Sequence, residues 1–199
     1  MVLAVAKILL FNKPYGVLSQ FTPEGRWRGL NEFIPVKEVY VAGRLDADSE
    51  GLLLLTDDGR LQARIADPRH KLQKIYWAQV EGAPEEVDLV PLRRGLRLKD
   101  FTAQPAEARC LPPPESLWPR DPPIRYRAAI PTAWLEISLR EGKNRQVRRM
   151  TAAIGYPTLR LIRARIGALD LSGLAPGEWR VFDGSLADLL PDSTGGKAG

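Results

Sequence analysis

The sequence predicts an α+β protein in which helices flank a mixed, largely antiparallel sheet. Its 199 residues, 44% of them hydrophobic and 27% charged, suit one globular domain with a core of its own. The apolar segments are short and bounded by turn residues, which is typical of strands. They do not alternate regularly with long helices, and this disfavours a doubly wound parallel sheet.

The N-terminal half supplies most of the predicted strands. They comprise residues 8–11, 17–19, 39–41, 52–55 and 74–80. Thr56 or Asp57 is expected to cap a short helix that Pro68 ends. A second helix is expected to open at Pro84, with proline in its first turn, and to end near Gly95.

The C-terminal half begins with an irregular excursion. Residues 112–123 hold six prolines, which exclude a helix or a central strand and predict a surface insertion. We expect Trp118 and Arg120 to pack it against the body of the protein; contact with a partner is the alternative.

A strand, a helix and two returning strands are predicted beyond this insertion. Leu135, Ile137 and Leu139 alternate with polar residues, as in a half-buried strand. Asn144 is the expected cap of the helix, whose inward stripe contains Val147 and Met150. The returning strands are residues 159–162 and 168–171. Residues 1–190 are thus expected to form a single domain, with two intimate subdomains as the alternative, and residues 191–199 a flexible tail.

Several classes of site and location are disfavoured by composition. The chain has one cysteine, Cys110, and one histidine, His70, so neither a disulfide nor a Cys/His zinc site is expected. No apolar run approaches the ~20 residues of a membrane span. Residues 1–6 lack the features of a signal peptide, which makes the cytoplasm the expected location.

Positive charge is concentrated between residues 140 and 165. Eight basic residues stand there against one acid, a local sum of +7, so the rest of the chain carries −2 of the overall +5. Such a segment favours a polyanion, and nucleic acid is the preferred partner. An acidic protein partner, or simple solvation of the charges, is the alternative.

The first candidate for chemistry is the acidic loop at residues 43–52, Gly-Arg-Leu-Asp-Ala-Asp-Ser-Glu-Gly-Leu. A carboxylate held in a tight turn near apolar strands has limited solvent, so Asp46 can be a nucleophile or a general base. Alternatively, Asp46, Asp48 and Ser49 only satisfy loop amides. Together with Glu50 these acids also permit a divalent metal site or a glycosidase-like pair of carboxylates.

The second candidate is the basic segment at residues 141–150, Glu-Gly-Lys-Asn-Arg-Gln-Val-Arg-Arg-Met. It lacks the glycine and hydroxyl pattern of a P-loop. With Val147 and Met150 turned inward, Arg148 lies at the margin of the buried stripe, where it can reach a partly buried carboxylate. The alternative is that these cations only face phosphates.

Three segments together resemble the bacterial ribosomal pseudouridine synthases, in the branch that modifies small- and large-subunit RNA. They are residues 43–56, 74–76 (Lys-Ile-Tyr) and 141–150, in matching order and spacing. Residues 122–125, 130–135 and 177–180 narrow the resemblance to the E-type group, which modifies RNA of the large subunit. Many members of the branch carry an N-terminal S4 RNA-binding module, but here the first core strand already begins at Ile8, so no S4 domain is expected.

The resemblance implies the pseudouridine synthase catalytic fold and an isomerisation that needs no cofactor and no metal. The bond between uracil N1 and ribose C1′ breaks, the base turns over, and it is rejoined through C5. Asp46 is implied as the catalytic aspartate, which attacks C1′ or abstracts the C2′ proton. Arg148 would pair with Asp46 and keep it ionised. Tyr76 would stack on the uracil of an everted nucleotide and assist the final loss of the C5 proton.

The same resemblance implies 23S rRNA, in its peptidyl-transferase region, as partner. The lack of a long apolar run predicts no membrane attachment, and the enzyme is expected to be a monomer. Arg44 would fill the gap left by the everted base, or contact a phosphate. The expected RNA-binding residues are Arg44, Lys143, Arg145, Arg149, Arg160, Arg163 and Arg165.

Three alternatives remain open from the sequence. A non-catalytic RNA-binding or ribosome-assembly module would bind rRNA without forming pseudouridine. A carboxylate-dependent hydrolase or metallonuclease using Asp46, Asp48 and Glu50 would lose activity in chelator. A pseudouridine synthase acting on another rRNA would share the site and differ in target.

Overall fold

A computed structural model of the chain describes residues 6–67, 72–115, 117–125 and 127–183. Within these residues the strands are β1 (Ile8–Lys13), β2 (Tyr40–Ala42), β3 (Glu50–Thr56), β4 (Lys74–Glu81), β5 (Leu96–Arg97), β6 (Thr102–Ala103), β7 (Glu107–Leu111), β8 (Thr132–Leu139), β9 (Thr158–Ile166), β10 (Leu169–Asp170) and β11 (Trp179–Val181). The helices are α1 (Gly59–Ala66), α2 (Val90–Arg94) and α3 (Gln146–Ala153), with a 3-10 turn at Leu30–Glu32.

One nine-stranded sheet forms the body of the protein. Its order is β11-β1-β3-β9-β4-β8-β7, with β2 on β3 and β10 on β9, while β5 and β6 form a separate hairpin. Every pairing in the large sheet is antiparallel except that of β3 with β9. The prediction of a mixed, largely antiparallel sheet with flanking helices is therefore confirmed.

The core lies on both faces of this sheet. Alternate residues of β1 and β3 enter two different clusters: Leu10 and Leu54 pack with α1, whereas Leu9 and Leu55 pack on the other face near Leu30. Because both faces are covered, these strands read as continuous apolar runs. A third cluster joins β4, β8 and α3.

The structure differs from the sequence-based expectations in several local elements. Residues 17–19 make only an isolated bridge between Val17 and Arg28, not a strand. The helix expected from Pro84 is reduced to α2, and Asp58, not Thr56 or Asp57, caps α1 through its carboxylate. Strands β7 and β11 had no prediction. Pro68 and the tail at residues 191–199 lie outside the described residues.

The proline-rich insertion is fastened to the sheet as expected. The indole Nε1 of Trp118 donates to Glu50 Oε1 at 2.8 Å, and the Arg120 guanidinium donates to the Leu159 carbonyl at 3.2 Å. In the same ranges, none of the helices is long and apolar enough to cross a membrane.

Candidate active site

The acidic loop runs between β2 and β3 and is held by buried hydrogen bonds from the turn after β1. The Ser19 hydroxyl donates to the Leu45 carbonyl at 2.7 Å and accepts from the Leu45 amide at 2.9 Å. The Gly16 amide donates to the Ala47 carbonyl at 2.8 Å. Asp46 therefore sits between two anchored residues, and its carboxylate is 39% exposed.

Arg163 supports the loop from beneath. It is 3% exposed, and its guanidinium donates to the carbonyls of Leu52 at 2.8 Å and Gly43 at 3.1 Å. Gly51 makes room for the backbone of Arg163 beside it, since a Cβ there would lie 2.4 Å from the Arg163 carbonyl oxygen. Burial and these contacts make Arg163 a support of the loop at the wall of the cleft, and its assignment to RNA binding stays a prediction.

Arg160 also belongs to the interior. It is 5% exposed and forms a two-fold ion pair with Glu50, with both N···O distances at 2.8 Å. Its assignment to RNA binding is wrong, because its charge is already matched inside the protein. The available signal was its place two residues before Ile162, which puts it on the same face of the strand as an apolar residue.

The N-terminus of α3 brings Arg145 to the acidic loop. Arg145 Nη1 donates to Asp46 Oδ2 at 3.2 Å and Asp48 Oδ1 at 3.0 Å, and Nη2 donates to Asp48 Oδ2 at 2.9 Å. Arg145 precedes the helix in the left-handed region, with φ 49°. Non-glycine residues adopt this conformation at a cost, so the surrounding contacts must hold it there.

The predicted pairing of Asp46 with Arg148 is wrong. Arg148 Nη2 donates to the backbone carbonyl of Asp48 at 2.7 Å and lies 3.6 Å from Asp48 Oδ2, with the side chain 12% exposed. Its Nε is buried without a hydrogen-bond partner. The helix starts at Gln146. Arg145 lies just before it in the left-handed region, and its side chain reaches across to Asp46. Arg148 thus holds the loop backbone, and the carboxylate of Asp46 pairs with Arg145.

A cleft of about 520 Å³ opens beside this loop. It brings together Asp46 and Tyr76, two of the three predicted catalytic residues; Arg148 is not part of its wall. Four of the predicted RNA-binding residues, Arg44, Lys143, Arg145 and Arg163, also line it. The site therefore joins a partly exposed carboxylate, an aromatic ring and several cations in one concave surface.

The other predicted RNA-binding residues lie elsewhere. Arg149 forms an ion pair with Asp100, and its guanidinium lies 4.8 Å from the Phe101 ring centroid. Arg165 is exposed on β9 outside the cleft wall, and its charge acts on nearby Asp170.

Lys74 is a cleft residue that sequence reasoning missed. It precedes Tyr76 on β4 and lines the cleft, and burial, with the charge of Arg163, lowers its pKa from 10.5 to about 8. The available signal was its place in the Lys-Ile-Tyr motif, two residues from Tyr76 and hence on the same face of the strand.

Asp48 is the carboxylate that lies closest to both Arg145 and Arg148. Burial raises the pKa of its carboxyl, but the hydrogen bond from Arg145 and the charge of Arg148 outweigh this and keep the pKa below its usual value. The same contact raises the pKa of Arg145. Asp48 is therefore ionised, and the two arginines remain charged beside it.

The acids of the loop are poorly placed to bind a metal together. Both oxygens of Glu50 are occupied by Arg160, and one of them also accepts from Trp118. Across the described ranges, no group of three or more His, Cys, Asp or Glu side chains could hold an ion. The donor set required by the metallonuclease alternative is therefore not assembled there.

Comparison with known proteins agrees with this geometry. The family described as RNA pseudouridylate synthase matches residues 7–153. The chain belongs to this family. It is therefore an RNA isomerase, and the resemblance of its motifs is confirmed.

Two curated relatives and one solved structure illustrate the match. The "Ribosomal large subunit pseudouridine synthase E" of Vibrio vulnificus is 60% identical over 89% of this chain and 76% of its own length. The protein of the same name from Xanthomonas campestris is 57% identical over 88% of this chain and 95% of its own length. A crystal structure of a pseudouridylate synthase covers 92% of this chain and 72% of its own, with a TM-score of 0.73 and 26% identity.

Proposed function

We propose that this protein converts a uridine of large-subunit ribosomal RNA to pseudouridine, with Asp46 as its catalytic residue. The observation that carries the proposal is the meeting of Asp46 and Tyr76 in one cation-lined cleft, on a loop that buried hydrogen bonds hold in place. The names of the relatives, which specify the large ribosomal subunit, support this choice of substrate.

The cleft suits an everted nucleotide. A uridine inside folded RNA hides C1′, so the enzyme must take the base out of its stack, which costs a few kcal/mol. The volume of about 520 Å³ lies within the range of small-molecule sites, ~300–1,000 Å³. Tyr76 offers a ring on which the base stacks, and this interaction repays ~1–3 kcal/mol.

Asp46 performs the covalent step in either of two routes. It attacks C1′ and displaces uracil through N1, or it abstracts the C2′ proton as the glycosidic bond breaks. In both, the uracil then turns. In the first route C5 attacks C1′ and displaces the Asp46 carboxylate; in the second C5 bonds to C1′ while Asp46 returns its proton to C2′. C5 then loses its proton and N1 gains one. Arg145, 3.2 Å from Asp46, stabilises the carboxylate before reaction, and the Asp48 carboxylate keeps the guanidinium in position.

A single substitution tests the reaction. We expect Asp46→Asn to keep the fold and RNA binding and to lose pseudouridine formation on a 23S rRNA transcript, because an amide is neither a nucleophile nor a base here. Carbodiimide labelling of the RNA measures the product. Asp183→Asn, at an exposed aspartate, is the matched control and should retain activity. Product formation by Asp46→Asn would overturn the assignment.

The proposal also specifies the target site and the form in which the enzyme acts. We place the target uridine in the peptidyl-transferase region of 23S rRNA, and we assign the activity to residues 1–190, acting as a monomeric domain in the cytoplasm. Pseudouridine maps of all rRNAs from cells with and without the gene test this placement. Loss of a site in another rRNA would move the substrate, and intact sites throughout would favour a non-catalytic assembly role.

A further inference from the structure

Two arginines beside the acidic loop are held by aromatic rings. The Arg26 guanidinium lies 4.3 Å from the Trp27 ring centroid, and that of Arg120 lies 4.4 Å from the Tyr15 centroid. The two rings meet edge to face, with centroids 6.2 Å apart and planes at 74°. These four residues form one continuous surface, which we name the arginine–aromatic patch.

The patch adjoins the candidate active site. Tyr15 is followed by Gly16, whose amide donates to the carbonyl of Ala47, the residue after Asp46, at 2.8 Å. None of the four patch residues lines the cleft. The patch and the cleft therefore flank the same loop as separate surfaces.

The positive charge of the patch is not cancelled by the described residues. Neither Arg26 nor Arg120 forms an ion pair with a carboxylate of that part of the chain. Glu24, in the same turn as Arg26, lies 3.5 Å from the Gln20 amide nitrogen, which donates to it. Cation–π contacts orient a guanidinium without neutralising it, so both charges remain available to an anion.

Arg120 is also fixed by the proline-rich insertion. Its guanidinium donates to the carbonyls of Pro122 at 2.8 Å, Pro123 at 3.1 Å and Leu159 at 3.2 Å. A planar cation held in this way has already lost most of its rotamer freedom, so it binds a ligand at a lower entropic cost.

We propose that the arginine–aromatic patch binds the RNA strand next to the everted uridine. Guanidinium planes and aromatic rings are the surfaces on which unpaired bases stack, while the charges contact phosphates. An acidic protein surface would require only positive charge. Planar guanidinium groups stacked on aromatic rings therefore favour a nucleic acid strand as the partner. This inference rests on the proposed function, because it names a further subsite for the same RNA.

Binding of a fluorescent oligouridylate of about 12 nucleotides, a length typical of single-strand sites, tests the patch through fluorescence anisotropy at several salt concentrations. We expect Arg26→Gln to weaken binding and to reduce the slope of log K against log salt by ~0.7, the value for one phosphate contact on a single strand. Trp27→Leu should weaken binding about five-fold or more without a change in slope, because it removes stacking and no charge. Trp27→Phe should restore most of the loss.

Arg97→Gln is the matched control. Arg97 is an exposed arginine on the separate β5–β6 hairpin, and its removal should leave the affinity as in the unaltered protein. Circular dichroism confirms that each variant is folded, and Trp27→Phe separates stacking from loss of structure.

Unchanged RNA affinity in both Arg26→Gln and Trp27→Leu would overturn the proposal and would favour an acidic protein as the partner of the patch. Failure of the proposed function has a different signature. The unaltered protein would then form no pseudouridine on the 23S transcript, while the oligonucleotide titrations would still decide whether the patch binds RNA.

Discussion

Arg145 connects the two aspartates of the acidic loop through one planar side chain. Its Nη1 contacts both Asp46 and Asp48, and its Nη2 contacts Asp48 alone. The left-handed backbone at this residue, φ 49°, is what turns the guanidinium towards the loop. A strained residue at the wall of the cleft is consistent with a role in organising the site.

We expect Arg145→Lys to lower the single-turnover rate at saturating RNA. An ammonium is a point charge and does not reproduce the forked contact, so the Asp46 carboxylate loses a charge-assisted hydrogen bond. Such a bond is worth about 1.5–3 kcal/mol, or about 10- to 150-fold in rate. Arg149→Lys, at an arginine paired with Asp100, is the matched control. A rate for Arg145→Lys close to that of the control would contradict the role.

Lys13 is an unusual cation of the interior. It is fully buried, and its ammonium donates to the carbonyls of Val17 at 2.6 Å and Pro14 at 3.1 Å. Burial lowers the pKa of Lys13 from 10.5 to about 7, although the charges of Glu50, Asp48 and Asp46 act in the opposite direction. Near neutral pH the folded protein therefore begins to release a proton that the unfolded chain keeps.

This shift makes stability depend on pH. Between about pH 7 and pH 10 the unfolded chain binds more protons at this position, so the free energy of unfolding rises with pH, by up to ~1.4 kcal/mol per pH unit. Below pH 7 the cost of the buried charge is present in full. We expect Lys13→Met to reduce this rise to the part that Lys74, with its own lowered pKa, contributes, as measured by urea unfolding at about pH 6 and about pH 9. The exposed Lys37→Met should retain it; an equal rise in both variants would contradict the assignment.

At the scale of elements, β3 and β9 are joined by a buried ion pair at their parallel contact. Glu50 and Arg160 are 1% and 5% exposed, and Glu50 also accepts from Trp118 of the proline-rich insertion. One carboxylate near the end of the acidic loop thus connects two strands and the insertion. Its loss should affect the site through the position of the loop.

We expect Glu50→Gln to destabilise the protein by ~3–5 kcal/mol, since it leaves the Arg160 guanidinium buried without a counter-charge. Urea unfolding measures the change, and Glu115→Gln, at an exposed glutamate, is the control. Failure to fold agrees with the expectation. A loss below ~1 kcal/mol, the size expected of a surface ion pair, would show that the pair is not essential.

Local signals predicted the elements that depend on local sequence. The continuous apolar runs of β1 and β3 and the alternation of β8 are visible in the chain. The parallel contact of Glu50 with Ile162 joins residues far apart in sequence, and no local pattern specifies it. For the site, the motifs indicated Asp46 and Tyr76. The partner of Asp46 was missed because Arg145 adopts a left-handed conformation, which the sequence would indicate only if a glycine stood at that position.

At the scale of the whole molecule, the positive charge of residues 140–165 is divided between interior and surface. Among its cations, several are engaged in protein contacts: Arg145, Arg148, Arg149, Arg160 and Arg163. Lys143, by contrast, is exposed at the cleft wall. The surface that meets RNA is therefore narrower than the sequence sum of +7 indicates.

This division predicts unequal effects of removing single charges. We expect Lys143→Gln to reduce the slope of log K against log salt for oligouridylate by ~0.7, because one phosphate contact is lost. Arg149→Gln removes the same charge but also frees Asp100, which faces solvent beside it, so the slope should change less. Fluorescence anisotropy at several salt concentrations measures both slopes. Equal reductions of the slope in the two variants would mean that RNA binding depends on the summed charge of the segment. This result would contradict a narrow contact surface.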